Sequence, residues 1–186
     1  MTVVVAVESP GGVLVGCDAF VGNADSRDVT VAPKWWRRAG LLIAYAGDIL
    51  VPQVAACAPA RFRRRVLESD ADFVTRYARA LREIHRERRV SFGQTDYLIA
   101  YRDGAYLVQS DATVVRSAHG YAAIGAGEDF ALGSLATSEG RPPMARVTAA
   151  LEAAERHATQ VARPWRFAAL SAPQDPSPPT AGLSCP

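Results

Sequence analysis

The N-terminal run Thr2–Ser9, TVVVAVES, is β-branched and uncharged as far as Glu8, the pattern of a strand buried on both faces. Pro10-Gly11-Gly12 supplies turn chemistry, and Val13–Ala19 (VLVGCDA) reads as a second strand, so the chain opens on a predicted hairpin. Polar residues from Gly22 to Asp28 predict a loop. Val29–Lys34 (VTVAPK) predicts a short strand interrupted by Pro33, and Gly40–Gly47 (GLLIAYAG) a third buried strand that ends in glycine. Asp48 is placed to cap a helix running through Ala58.

From Ser69 to Arg89 the apolar residues Phe73, Tyr77, Leu81 and Ile84 recur at helical spacing with charges between them, an amphipathic helix. DYLIAYRDGAYLVQS predicts a hairpin folded at Asp103-Gly104. Short strands follow near Thr113–Arg116 and Tyr121–Ile124. Gly125 and Gly127 lead into a helix over Glu128–Thr137, and a second helix after Pro142-Pro143 carries Met144, Val147, Leu151, Ala154 and Ala158 on one stripe. WRFAALSA closes with a strand. The order of strands, two helices, strands, two helices and a strand fits an α/β fold of two antiparallel sheets packed face to face between helix pairs, a four-layer αββα arrangement; a two-layer α+β fold is the alternative. One domain over residues 2–172 is expected, with a disordered Pro- and Ser-rich tail over 173–186.

Charge and cysteine content narrow the function classes. A net charge of +2 is too small to argue for nucleic acid, and the arginines at 61–65 and between Arg76 and Arg89 read as a solvated helix face or a subunit contact. No apolar run reaches the length of a membrane span and no secretory leader is evident, so a cytoplasmic protein is expected. Cys17, Cys57 and Cys185, like His85, His119 and His157, are scattered without metal-ligand spacing, so no metal, cofactor or disulfide framework is expected.

Two residues stand out chemically. Lys34 is the only lysine among 21 basic residues. Arginine holds its proton at any working pH, whereas a buried lysine ammonium shifts its pKa readily and suits an active site. Thr2 follows the initiator Met directly, and removal of Met1 would leave a hydroxyl and a free amine on one residue. That amine titrates near neutrality and can take the hydroxyl proton; the site then needs an ammonium, a carboxylate to hold it, and a backbone donor for the oxyanion. Asp18, Lys34 and Gly47 stand at ends of predicted ordered stretches where all four could converge at one end of a sheet. Trp35 and Trp36 read as core or subunit interface, or as a floor for a substrate cleft.

Asp18 and Lys34 follow Thr2 at equal steps of 16 residues, and AYAGD then supplies Gly47. In these residues the chain resembles the proteasome β-subunit family, including its bacterial heat-shock-locus peptidase relatives, over roughly Thr2–Ser171. The resemblance implies an N-terminal-nucleophile hydrolase sandwich. It implies Thr2 as nucleophile with its amine as base, Lys34 as the pKa-lowering ammonium, Asp18 as its partner and the Gly47 amide as oxyanion donor. It further implies a peptide or unfolded protein substrate, a homo-oligomeric ring and an ATP-dependent unfoldase as partner. The chain departs from the pattern at Ala126, where relatives often carry serine in a GSG turn, and in having no Asp between Asp129 and Asp175 where an acidic and serine pair is common. Thr159, Gln160 and Ser171 are the candidate substitutes. A catalytically silent ring subunit or binding module is the competing reading. Intact mass separates the first step of the two: the purified protein is expected to be lighter than the translated chain by one methionine residue, and retention of Met1 would eliminate Thr2 chemistry.

Overall fold

The central strands are buried at consecutive positions, and their side chains fall into three apolar clusters. The computed structural model describes residues 2–22, 26–48, 50–57 and 62–172; the predicted tail and Ala58 lie outside these. One sheet has the order β10-β1-β2-β11, from Tyr121–Gly125, Val3–Ser9, Gly12–Cys17 and Arg166–Ser171. The other has the order β5-β6-β7-β8-β9, from Trp35–Arg38, Leu41–Gly47, Thr95–Tyr101, Gly104–Val108 and Val114–Arg116. All their pairings are antiparallel. Four helices complete the described fold: α1 (Leu50–Cys57), α2 (Asp70–Glu87), α3 (Glu128–Thr137) and α4 (Pro143–His157).

Because successive side chains on a strand face opposite ways, each sheet feeds two cores. Val4, Ala6, Val13 and Val15 of the first sheet meet Leu42, Ala44, Leu98 and Ala100 of the second in a common cluster. Their neighbours Val3, Val5 and Val7 pack against Ala131 and Leu135 of α3 and Val147, Leu151 and Ala154 of α4. On the far side Leu41, Ile43, Tyr97 and Ile99 pack against Phe73, Val74, Tyr77 and Leu81 of α2. The first sheet thus lies between the second sheet and the α3–α4 pair, which explains why β1 is apolar at every position from Val3 to Val7.

The helix predictions hold closely. Ser69 caps α2, its hydroxyl accepting from the Asp72 amide at 3.1 Å, and Asp48 accepts from the Leu50 amide at 2.9 Å at the start of α1. At the end of the α2 stripe His85, not Ile84, is fully buried, its Nε2 lying 2.9 Å from the Tyr97 hydroxyl. On α4 Met144 is exposed, and the guanidinium of Arg146 is buried instead, donating to the Leu135 carbonyl at 3.0 Å and lying over the Tyr121 ring.

Three local expectations are corrected. Val29–Lys34 is not a strand: Arg27–Val29 forms β4, paired with β3 (Phe20–Gly22), and the chain bends through Pro33 before β5 begins at Trp35. The hairpin turns at Arg102-Asp103, with Arg102 at φ +54°, and Gly104 belongs to β8, opposite Tyr101. The stripe on α4 excludes Met144, as above. Leu98 lies wholly between the sheets; Leu98→Ala is expected to destabilise the protein by about 2–5 kcal/mol, measured by urea unfolding.

Candidate active site

The antiparallel registers bring three strand ends to one place. Val3 begins β1 opposite Gly125, and Cys17 ends β2 opposite Val4 and Arg166, so Thr2 and Asp18 emerge side by side, the Asp18 amide donating to the Val3 carbonyl at 3.3 Å. Lys34 immediately precedes β5, and its carbonyl accepts from the Tyr45 amide at 3.1 Å. The candidates therefore converge across two sheets rather than at the end of one. Gly125 marks the junction: it holds φ +94°, and a Cβ there would run into the Thr2 carbonyl and the Ala46 methyl. Only glycine lets the two sheets close at this point.

Thr2, Asp18 and Lys34 are all buried. The Thr2 hydroxyl donates to Asp18 Oδ1, and the Lys34 ammonium donates both to Thr2 Oγ1 and, at 2.7 Å, to Asp18 Oδ1. Asp18 also accepts the Val3 amide at 3.1 Å on Oδ1, and the amides of Phe20 at 2.9 Å and Ala162 at 3.3 Å on Oδ2. Burial pulls the Lys34 pKa below the ordinary lysine value of 10.5, against the opposing pull of Asp18. The adjoining Cys17 thiol is pushed up to about 11, chiefly by burial, which leaves it protonated and unreactive at neutral pH. Among hydroxyl and thiol groups here, Thr2 is the one held by a cation.

Gly47 ends β6 at φ +124°, where a Cβ would collide with the Gln94 carbonyl. The ladder fixes its amide direction. The Tyr45 amide points to Lys34 on the β5 side and the Asp48 amide to Gln94, at 3.3 Å, on the β7 side. By alternation the Gly47 amide points to the β5 side, beyond the strand's end at Lys34. A hydroxyl polarised by an ammonium, with an amide directed to the same side, is an arrangement suited to acyl transfer.

The proposed substitutes separate. Ser171 pairs with Gly12 at the opposite end of the sheet, so it is no part of this site. Thr159 is exposed, whereas Gln160 Oε1 is buried without a hydrogen-bond partner among the described residues, next to the Val161–Ala162 segment that touches Gly127 and Asp18. Sequence reasoning missed the Ala162 amide, which carries no side-chain signal. Ala126 is exposed in its turn. Trp36 is half-buried against the α2-side core, 6.1 Å from the Tyr45 ring and 6.2 Å from that of Tyr97, and Trp35 packs half-buried against the intersheet cluster. Among the described residues no His, Cys, Asp and Glu cluster is placed to hold a metal, and no helix is long and apolar enough to cross a membrane.

The fold is of the proteasome-β-like class. No protein-family model and no curated protein matches the sequence, but solved structures do. The BPH protein of Thiobacillus denitrificans is similar at a TM-score of 0.74 and 18% identity, covering 93% of this chain and 100% of that one. HslV from Trypanosoma brucei is similar at 0.70 and 15%, covering 91% and 99%. Anbu, the ancestral beta-subunit, from Yersinia bercovieri is similar at 0.68 and 12%, covering 91% and 81%. At these identities the likeness is one of fold, and at that level the resemblance read from Thr2, Asp18, Lys34 and Gly47 holds.

A lysine whose pKa is lowered by folding gives up its proton earlier in the folded chain than in the unfolded one. Between the lowered value and 10.5 the unfolded state binds more protons, so this group makes stability rise with pH across that window. The raised Cys17 pKa acts in the opposite sense at alkaline pH. The difference in unfolding free energy between wild type and Lys34→Met, measured over the alkaline range, is therefore expected to shift in favour of wild type as pH rises towards 10.5.

Proposed function

We propose that the chain is a threonine-type hydrolase that cleaves peptide bonds through Thr2 after removal of Met1. The observation that carries the reading is the buried contact of Lys34 with both the Thr2 hydroxyl and Asp18. In this reading Thr2 Oγ attacks the substrate carbonyl while its proton passes to the Thr2 amine. Lys34 lowers the hydroxyl pKa and stabilises the developing negative charge; Asp18 holds Lys34, and the Gly47 amide receives the oxyanion. Collapse breaks the C–N bond, the amine returning the proton to the leaving nitrogen. Water, deprotonated by the same amine, then hydrolyses the ester and frees Thr2.

The three apolar clusters support the four-layer αββα form of the fold. By likeness of fold we assign the chain to a cytoplasmic homo-oligomeric ring, fed by an ATP-dependent unfoldase. A silent ring subunit is the second reading, favoured by Ala126, which places no hydroxyl in the turn beside Gly125.

The Thiobacillus denitrificans protein is also known in complex with epoxomicin, a peptide epoxyketone, which supplies the probe. Addition of Thr2 Oγ to its ketone and of the Thr2 amine to its epoxide would leave an adduct carrying the whole mass of the reagent. Wild type is expected to form it, Thr2→Ala to form none, and Lys34→Ala to react at least about 10³-fold more slowly, as read by intact mass against time. Labelling that survives Thr2→Ala overturns the assignment, and Met1-free wild type that stays unlabelled favours the silent subunit.

A further inference from the structure

Between α1 and α2 the chain displays two large apolar side chains to solvent at a cost. Val66 is 92% and Leu67 99% exposed, and Leu67 holds φ +64°, a region that disfavours a side chain of this kind. The turn is clamped in this form. Arg76 Nε and Nη2 donate to the two Glu68 carboxylate oxygens at 2.7 and 2.8 Å, Nη2 also reaches the Arg63 carbonyl at 2.8 Å, and the Arg65 amide donates to Glu68 Oε2 at 2.8 Å. The same guanidinium lies 4.3 Å from the Phe62 ring centre. Around the exposed pair stand Arg63, Arg64 and Arg65, of which only Arg64 has a side-chain ion pair among the described residues, a 3.4 Å contact with Asp70.

The chain also carries the complementary surface. A cavity of about 390 Å³ is lined by Leu107, Ile124 and Leu132 together with Asp96 and Glu128. Neither carboxylate pairs with a cation among the described residues, and burial raises the pKa of both. Gln109 and Ser110 complete a mixed wall, and its apolar residues beside two carboxylates without a cation partner complement a basic-rimmed apolar knob in character and sign. The two cannot meet within one molecule. Asp70, beside the knob, contacts Arg102 at the end of β7, whereas Asp96 stands at its start, roughly 20 Å away by strand rise.

We propose that Val66–Leu67 of one copy seats in the cavity flanked by Asp96 and Glu128 of the next, with Arg63–Arg65 facing those carboxylates. Two different surfaces then join head to tail, the interface type that closes into rings when the rotation allows. Asp96 pairs in register with Ala46, whose methyl walls Gly125 beside Thr2. A neighbour's guanidinium groups would therefore set the field close to the nucleophile.

The inference rests on the homo-oligomer part of the proposed function and not on Thr2 chemistry. Sedimentation of the full chain over a concentration series tests it, with far-ultraviolet circular dichroism confirming that each variant is folded. Leu67→Asp is expected to weaken association at least about thirtyfold, the effect of losing an interface anchor. Arg63→Glu with Arg65→Glu, and separately Asp96→Lys with Glu128→Lys, are expected to dissociate the assembly, and the four changes in one chain to restore it. Assembly that is unaffected by Leu67→Asp, or charge reversals that fail to rescue one another, overturns the contact alone. A wild type that stays monomeric overturns the contact and the ring reading together, and epoxomicin labelling reports on Thr2 independently of either.

Discussion

The carboxylate of Asp18 is the point on which the rest of the site hangs. A fully buried negative charge is tolerable only when its desolvation is offset by a cation and by hydrogen bonds to both oxygens. Here Lys34, the Thr2 hydroxyl and the amides of Val3, Phe20 and Ala162 supply them. Those donors come from β1, the start of β3, the residue before β5 and the segment preceding β11. Satisfying one carboxylate thereby ties both sheets together and fixes the positions of the two groups that would react. Fold stability and chemical organisation are the same set of contacts at this end of the molecule.

Lys34 illustrates how burial and pairing divide the work. Burial pulls the ammonium pKa down and Asp18 pulls it back up; the outcome is a lysine below its ordinary range whose ammonium contacts both Asp18 and the threonine. Cys17, one residue from Asp18, is likewise driven towards its neutral form by burial, so its pKa rises where that of Lys34 falls. The same desolvation moves the two pKa values in opposite directions, because the charged form is the deprotonated one for a thiol and the protonated one for an amine.

Much of this was readable in the chain because it depends on side-chain identity and period. The apolar run of β1, the stripe Phe73–Tyr77–Leu81, the Ser69 cap and the Thr2–Asp18–Lys34 spacing are all written in residue types. What was not readable depends on the backbone in three dimensions. The β3–β4 hairpin is too short to show a period, and β5 (WWRR) has no alternation to announce it. The turn at Arg102-Asp103 places positive φ on arginine although Gly104 stands two residues on. Ser171 was a candidate for the site by residue type alone, and the β11–β2 register carries it to the other end of the sheet.

Three of the five donors to Asp18 are main-chain amides, from Val3, Phe20 and Ala162, and a backbone N–H is available from every residue except proline. Evolution is therefore free to exchange the side chains at those positions without disturbing the carboxylate. The constraint on sequence is concentrated in the few residues whose own atoms reach inward and in glycines such as Gly125 where no side chain fits. Under such a distribution, a lineage can drift until letter-by-letter comparison finds nothing while the strand ends stay in place. With the Thiobacillus, Trypanosoma and Yersinia proteins, at 12–18% identity, the agreement is one of shape.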